Sequence, residues 1–167
     1  MSFKLTYATM FNPPADLHTR FDAAMADVRA GLGVQHGLHI NGKEVATTAH
    51  DERRSPIDQR CVLGHFPLAT SEQAKQAMQA AREAFPGWRA TAPAERVRLL
   101  KRVARLIEER LFHISAALTL EVGKNRMEAM GEVQETADFF DIYADDFEKH
   151  NAFEHELPND QIGRAHV

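Results

Sequence analysis

The chain has 167 residues and a net charge of -4 at pH 7, with 44% hydrophobic and 26% charged residues. This balance is typical of one globular domain or of part of a larger one. Positive and negative side chains are mixed along the chain, which argues against a nucleic-acid-binding surface. No apolar run approaches the roughly 20 residues of a membrane-spanning helix. Because Cys61 is the only cysteine, no internal disulfide can form, and we expect a cytoplasmic protein.

The first predicted helix lies in residues 15–33. Its apolar residues recur every three or four positions, as one buried stripe requires: Leu17, Phe21, Ala24, Met25 and Val28. Asp16 or a residue near it is expected to cap this helix, and Gly31 and Gly33 are expected to end it.

A change of period follows the first helix. Short alternating runs flank Asn41-Gly42, the dipeptide most typical of a two-residue turn, because both turn positions need a positive φ. The pattern predicts a β-hairpin over residues 37–46. Residues 47–56 are polar and end in Ser-Pro, so we interpret them as a loop. A short strand is predicted over residues 60–66.

Three long helices are predicted next. The first covers residues 71–85, is capped by Thr70 or Ser71, and is stopped by the Pro-Gly pair at 86–87. Its expected inner face consists of Ala74, Met78, Ala81 and Phe85.

The second long helix begins near Pro93 and ends at Gly123. Its apolar stripe is Leu100, Val103, Ala104, Ile107, Leu111, Ile114 and Leu118. The third helix runs from about Arg126 to about His150. Its inward residues are predicted to be Met130, Val133, Ala137, Phe140, Ala144 and Phe147. Since the links between these helices are short, we expect antiparallel neighbours.

Several chemically capable residues have an ordinary interpretation that we favour. Cys61 would serve as a nucleophile only beside a base or a helix N-terminus, and its place in a strand favours a structural cysteine. His36 and His39 have no further metal ligand at suitable spacing, so we assign them to the polar side of the hairpin. A basic run lacks the interleaved aromatic residues of a nucleic-acid site and is interpreted as a solvated face: Arg96, Arg98, Lys101, Arg102 and Arg105.

The third long helix is rich in carboxylates. A di-iron site would need Glu-x-x-His on two helices, and the chain has none. Most of these acids are interpreted as a solvated face. Glu135 is one helical turn before Phe139, so the two share a face. A carboxylate beside an aromatic ring suits a substrate ammonium, although spacing alone leaves surface exposure as the ordinary interpretation.

A set of short motifs occurs in a fixed order along the chain. They are Ile-Asn-Gly-Lys (40–43), Ser-Pro (55–56), Val-Leu-Gly (62–64), Pro-Gly-Trp (86–88), Ala-Glu-Arg-x-Arg-Leu-Leu (94–100) and Leu-Glu-Val-Gly-Lys-Asn (120–125). In this order they resemble the aldehyde dehydrogenase superfamily over most of residues 15–158. The resemblance implies an α+β fragment of the α/β aldehyde dehydrogenase fold, made of an N-terminal helix, a β-hairpin, a short strand and three long helices.

Two features resemble one branch, the 1-pyrroline-5-carboxylate dehydrogenases. They are the extra helix at 15–33 and the segment Glu135-Thr-Ala-Asp-Phe139, which follows Glu-Val-Gly-Lys-Asn. The resemblance implies that Glu135 contacts the amino group of the substrate and that Phe139 lines the aldehyde tunnel. It also implies an oxidoreductase of proline catabolism that uses NAD and forms a homo-oligomer.

In members of this family, the residues that perform the chemistry come later in the sequence than the segment that this chain resembles. They are a cysteine nucleophile, an oxyanion-stabilising asparagine and a glutamate base, and no Gly-rich phosphate loop occurs here either. We therefore predict no catalytic, cofactor-binding or metal-binding residue in this chain, and no activity for the fragment alone. The alternatives are a dehydrogenase of another small aldehyde, or a stand-alone helical interaction module.

Three segments are predicted. Residues 1–36 form an N-terminal extension, and residues 37–160 form the N-terminal part of the dehydrogenase domain. Residues 161–167 are expected to be a non-native tail, because Ile-Gly-Arg-Ala-His-Val resembles a translated sequencing adapter rather than the family's continuation. Resequencing of the locus tests this expectation.

Overall fold

A computed structural model describes residues 13–154. The chain begins with helix α1 (Leu17–Ala30) and four strands: β1 (Leu38–Ile40), β2 (Lys43–Val45), β3 (His50–Arg54) and β4 (Val62–Pro67). Four helices and a 3-10 turn follow: α2 (Ser71–Ala90), α3 (Pro93–Glu109), α4 (Leu111–Val122), α5 (Arg126–Lys149) and Asn151–Phe153. The predicted α+β class is confirmed. None of the described helices has the length and apolarity to cross a membrane, and the predicted tail lies outside the described residues.

The hydrophobic core lies between α1, α4 and α5, with Leu63 of β4 packed against it. The predicted stripe of α1 supplies four buried residues: Leu17, Phe21, Ala24 and Val28. From α4 and α5 come Leu111, Ala116, Leu120, Met130 and Val133. Since burial of a large apolar side chain contributes about 1.5–3 kcal/mol, this contact accounts for the position of α1.

Arg126, the first residue of α5, adds polar contacts to α1. Its guanidinium lies 4.5 Å from the ring centroid of Phe21. It donates hydrogen bonds to the Asp22 carboxylate and, over 2.7 Å, to Nδ1 of His18. Asp16 occupies the N-cap position as predicted, but its side chain makes no capping hydrogen bond within the described residues.

The predicted hairpin is confirmed. Strands β1 and β2 are antiparallel, with Leu38 opposite Val45. Asn41 and Gly42 at the turn have φ values of 53° and 70°, the left-handed conformation that their residue types tolerate.

The predicted loop at 47–56 was wrong, because His50–Arg54 forms β3, antiparallel to β4. The strand was missed because it carries charges instead of alternating apolar residues. Asp51 pairs with Arg53 at 2.7 Å, and Glu52 pairs with Arg54 at 2.6 Å. Pairs two residues apart lie on one face of a strand, so both sets of charges remain solvated while the backbone forms the ladder.

The predicted end of the first long helix at Pro86 was also wrong, since α2 continues to Ala90. The last carbonyls of α2 accept hydrogen bonds from later residues. The Thr91 hydroxyl donates to Gly87 over 3.0 Å, and Arg96 donates to the carbonyls of Trp88 and Arg89. These contacts satisfy groups that a helix end leaves unpaired, and so they stabilise the turn after the proline.

The predicted inner face of α2 is not buried by any residue that the structure describes. Met78 and Phe85 are 62% and 56% exposed. The stripe exists in the sequence, but its packing partner is not among residues 13–154.

The second long helix was predicted as continuous, but it breaks at Arg110 into α3 and α4. Arg110 has φ -103° and ψ 14°, and its N–H bonds to the carbonyl of Ile107. The break lets Leu111 turn into the core against α1. No glycine or proline marks the position, so the sequence offered no signal. Val103, predicted to be in the stripe, is 38% exposed.

Helix α3 packs along α5 through small side chains. Ala104 of α3 and Ala137 and Ala144 of α5 are each fully buried. Phe140 and Phe147 of the predicted inward face are only half-buried. The third predicted helix is otherwise confirmed within one residue of its expected ends.

Candidate functional site

The candidate site lies on α5, whose N-terminus is fixed by a side-chain cap. The Asn125 carboxamide oxygen accepts a hydrogen bond of 3.0 Å from the backbone N–H of Glu128. Gly123, with φ 83°, ends α4 just before it. A left-handed residue followed by an asparagine cap is a short and rigid helix-to-helix connection, so the chain direction into α5 is well defined.

The buried stripe of α5 determines which residues face outward. Ala129, Met130, Val133 and Ala137 point into the protein. Glu135 and Phe139 lie on the other side, where Glu135 is exposed and Phe139 is 45% exposed. The structure therefore places the two sequence-predicted site residues one helical turn apart on an accessible face.

Tyr143 extends this face by another turn. Its ring is stacked on that of Phe139, with centroids 5.7 Å apart and an interplanar angle of 10°. Sequence reasoning missed Tyr143, although the signal was present: it follows Phe139 by four residues, the spacing at which helical side chains meet. The exposed line of Glu135, Phe139 and Tyr143 is called the α5 face below.

The charges near Glu135 have partners of their own. Glu132 pairs with Lys124. Buried Gln134 donates to Glu108 and Asp138, over 3.3 and 3.1 Å. Glu135 has no hydrogen-bond or ion-pair partner among residues 13–154. A solvated carboxylate without a partner is available to bind a cation.

Other sequence candidates are placed away from the α5 face. Cys61 is half-buried just before β4, and its N–H bonds to the carbonyl of Asp58. The His36 ring stacks on Phe66 at 4.7 Å, and His39 lies opposite Glu44 in the register of the hairpin. No group of three metal-ligating side chains occurs within the described part of the chain.

The basic run of α3 is largely engaged by carboxylates. Arg98 pairs with Glu95 at 2.5 Å, and Arg105 pairs with Asp141 and Glu108. Hydrogen bonding to Asp141 raises the pKa of Arg105, and hydrogen bonding to Arg98 lowers the pKa of Glu95. These pairs stabilise the charged forms of both partners.

A groove of about 640 Å³ lies between α1 and the junction of α3 and α4. It is lined by side chains of both charge signs, including Arg20, Asp27, Glu109 and Arg110. Glu135 and Phe139 do not contribute to it.

Comparison with known proteins identifies the family. The family model for aldehyde dehydrogenases matches residues 45–165. The chain belongs to the aldehyde dehydrogenase family. The predicted resemblance is thereby confirmed, and the matched segment includes the α5 face.

Similar proteins include several 1-pyrroline-5-carboxylate dehydrogenases. The enzyme named 1-pyrroline-5-carboxylate dehydrogenase 2 of Bacillus subtilis (strain 168) is 40% identical over 124 residues, which cover 74% of this chain and 24% of that protein. The structure of 1-pyrroline-5-carboxylate dehydrogenase from Thermus with bound NAD has a TM-score of 0.81 and 29% identity, and the match covers 89% of this chain and 29% of that one.

A third similar protein is proline utilization A from Bdellovibrio bacteriovorus, inactivated by N-propargylglycine. Its structure has a TM-score of 0.74 and 34% identity, and the match covers 75% of this chain and 13% of that one. The matches thus cover between 13% and 29% of the length of these three relatives.

Proposed function

We propose that this chain is the amino-terminal part of a dehydrogenase that oxidises L-glutamate γ-semialdehyde, the open form of 1-pyrroline-5-carboxylate, to glutamate with NAD in proline catabolism. The observation that carries the proposal is the 40% identity to a 1-pyrroline-5-carboxylate dehydrogenase over 124 residues. The Glu135 carboxylate lies in the family-matched segment, is exposed and has no partner among residues 13–154, which supports the proposal.

In this proposal the chain supplies substrate selection. The Glu135 carboxylate binds the α-ammonium of the semialdehyde through charge-assisted hydrogen bonds. The ring of Phe139, one turn further along α5, forms an apolar wall beside the aldehyde chain and excludes water from it. Both residues lie on one rigid helix, so the spacing between the carboxylate and the ring is fixed. This spacing selects a substrate whose ammonium and aldehyde groups are separated by a matching distance.

The chemical steps belong to residues beyond the described ones. By family resemblance, a downstream cysteine attacks the aldehyde carbon and a glutamate activates the water that releases the acid. NAD, when bound by that later part, accepts the hydride. We assign no described residue to NAD, and we propose that the 167-residue chain alone forms no NADH.

The proposed location is the cytoplasm, with which a single unpaired cysteine is compatible. The complete enzyme is proposed to be a homo-oligomer, as the resemblance implies.

The test is a kinetic comparison in the complete dehydrogenase that carries this chain. We expect NADH formation from 1-pyrroline-5-carboxylate, with the 167-residue chain as an inactive control. Glu135→Gln should lower kcat/KM for the semialdehyde about 10- to 100-fold, because one charge-assisted hydrogen bond is lost. Its kcat/KM for propanal, which has no amino group, should remain unchanged.

A matched control is Glu128→Gln, which removes an exposed carboxylate from the first turn of the same helix. It should leave kcat/KM unchanged for both the semialdehyde and propanal. Equal kcat/KM for the semialdehyde and propanal in the wild type would contradict the proposal and favour an enzyme for another small aldehyde. No oxidation of any aldehyde would favour a helical interaction module.

A further inference from the structure

The side chain of Phe139 is only partly covered by its surroundings. Its side chain is 45% exposed, on the outward side of α5. An aromatic residue on a helix surface has two favourable χ1 values, 180° and -60°, which direct the ring to different positions. To line the substrate channel as a fixed wall, the Phe139 ring must keep one of these two positions.

Tyr143 contacts the ring of Phe139 in one of these positions. Helical side chains lean toward the N-terminus of the helix, so a residue at i+4 covers the turn that carries residue i. The rings of Phe139 and Tyr143 are nearly parallel, at 10°, with centroids 5.7 Å apart. That separation falls within the range of favourable aromatic pairs.

We propose that Tyr143 is a positioning residue for the substrate wall: it stacks on the ring of Phe139 and holds that ring in register with Glu135. This inference rests on the proposed function. The tyrosine ring acts through Phe139 and does not itself touch the substrate. Its hydroxyl is not required, because the contact is made by the ring faces.

Ile142 offers a matched control. It is the preceding residue on α5, apolar and 53% exposed, compared with 65% for Tyr143. It has no ring to stack on Phe139. Truncation of Ile142 and truncation of Tyr143 therefore remove similar exposed apolar side chains, but only the second removes the stack.

The experiment measures kcat and KM of the complete dehydrogenase with the semialdehyde and with propanal. Tyr143→Ala should raise KM for both aldehydes about three- to tenfold with little change in kcat, as expected for the loss of one aromatic pair. Tyr143→Phe should restore the wild-type KM, and Ile142→Ala should leave it unchanged. Ring-to-ring nuclear Overhauser contacts between Phe139 and Tyr143 should be present in the wild type.

The inference is overturned if Tyr143→Ala behaves as Ile142→Ala does, if Tyr143→Phe fails to rescue, or if the ring contacts are missing. Failure of the proposed function looks different: the wild type would show no preference for the semialdehyde and Glu135→Gln would have no effect. In that case the KM of the Tyr143 variants for propanal would still test the positioning role, because propanal has no amino group for Glu135 to bind.

Discussion

Helices α1 and α2 are both amphipathic, but they are packed very differently. The shorter, α1, has 14 residues and buries four of them against α4 and α5. The longer, α2, has 20 residues, and no described residue buries any of them. An apolar stripe in a sequence predicts that a surface will be covered, but it does not say by what. The partners of α1 lie within the chain, whereas the relatives of this protein are about four times as long as the matched segment.

The packed region and α2 also differ in what their exposed residues are proposed to do. Helix α5 belongs to the packed region and carries the α5 face, so the proposed substrate contacts have a rigid base. The exposed stripe of α2 includes Met78, Phe85 and Trp88 and forms an apolar surface of the kind that promotes association in isolated fragments.

The largest expected difference between the two regions is in the cost of a deleted apolar side chain. Leu111→Ala removes a fully buried residue that packs with α1 and should lower the free energy of unfolding by about 2–5 kcal/mol. Met78→Ala on α2 should change it by less than about 0.5 kcal/mol, because the side chain is exposed. Urea titration followed by circular dichroism measures both, and equal losses would remove the distinction between the regions.

A smaller difference is expected between two helix caps. Asn125 caps α5 in the packed region, and Thr70 caps α2 with a complete capping box. Asn125→Ala should lower the free energy of unfolding by about 1 kcal/mol. Thr70→Ala should reduce helical content while leaving the urea midpoint unchanged, because α2 contributes little to the cooperative core. A common shift of the midpoint in both variants would show that α2 unfolds with the core.

The smallest effect is expected from the ion pairs between α3 and α5. Lys101 lies 2.6 Å from Asp145, and this hydrogen bond raises the pKa of Lys101. A raised pKa in the folded state means that the contribution is present at neutral pH and is lost as pH rises through that value. Lys101→Gln should therefore lower the melting temperature slightly at low salt and neutral pH, with no difference in 1 M NaCl because the pair is exposed. A difference that persists in high salt would contradict this.

Local patterns in the sequence predicted a large part of the fold. The stripe of α1, the Asn-Gly turn of the hairpin and the ends of α5 each follow from neighbouring residues alone. Glu135 and Phe139 were also identified from the sequence, through spacing and resemblance, and their roles remain proposals.

The remaining features depend on contacts between distant residues. Strand β3 forms because β4 offers a hydrogen-bonding edge. The side chains of β3 are mostly charged, so its sequence shows no apolar alternation. The turn of α2 beyond Pro86 is stabilised by Thr91 and Arg96, which donate hydrogen bonds to its last carbonyls. The break at Arg110 follows from the need to direct Leu111 toward α1. To predict each of these features, one must know the distant residues that pack against it or bond to it, and a local sequence pattern does not contain them.

The contrast between the packed region and α2 is tested most directly by amide hydrogen exchange on the 167-residue chain. We predict strong protection in the central turns of α1, α4 and α5, at free energies near that of global unfolding, and exchange of α2 amides at much lower free energies. Equal protection of α2 and α5 would contradict the account, because it would require α2 to be buried within this chain.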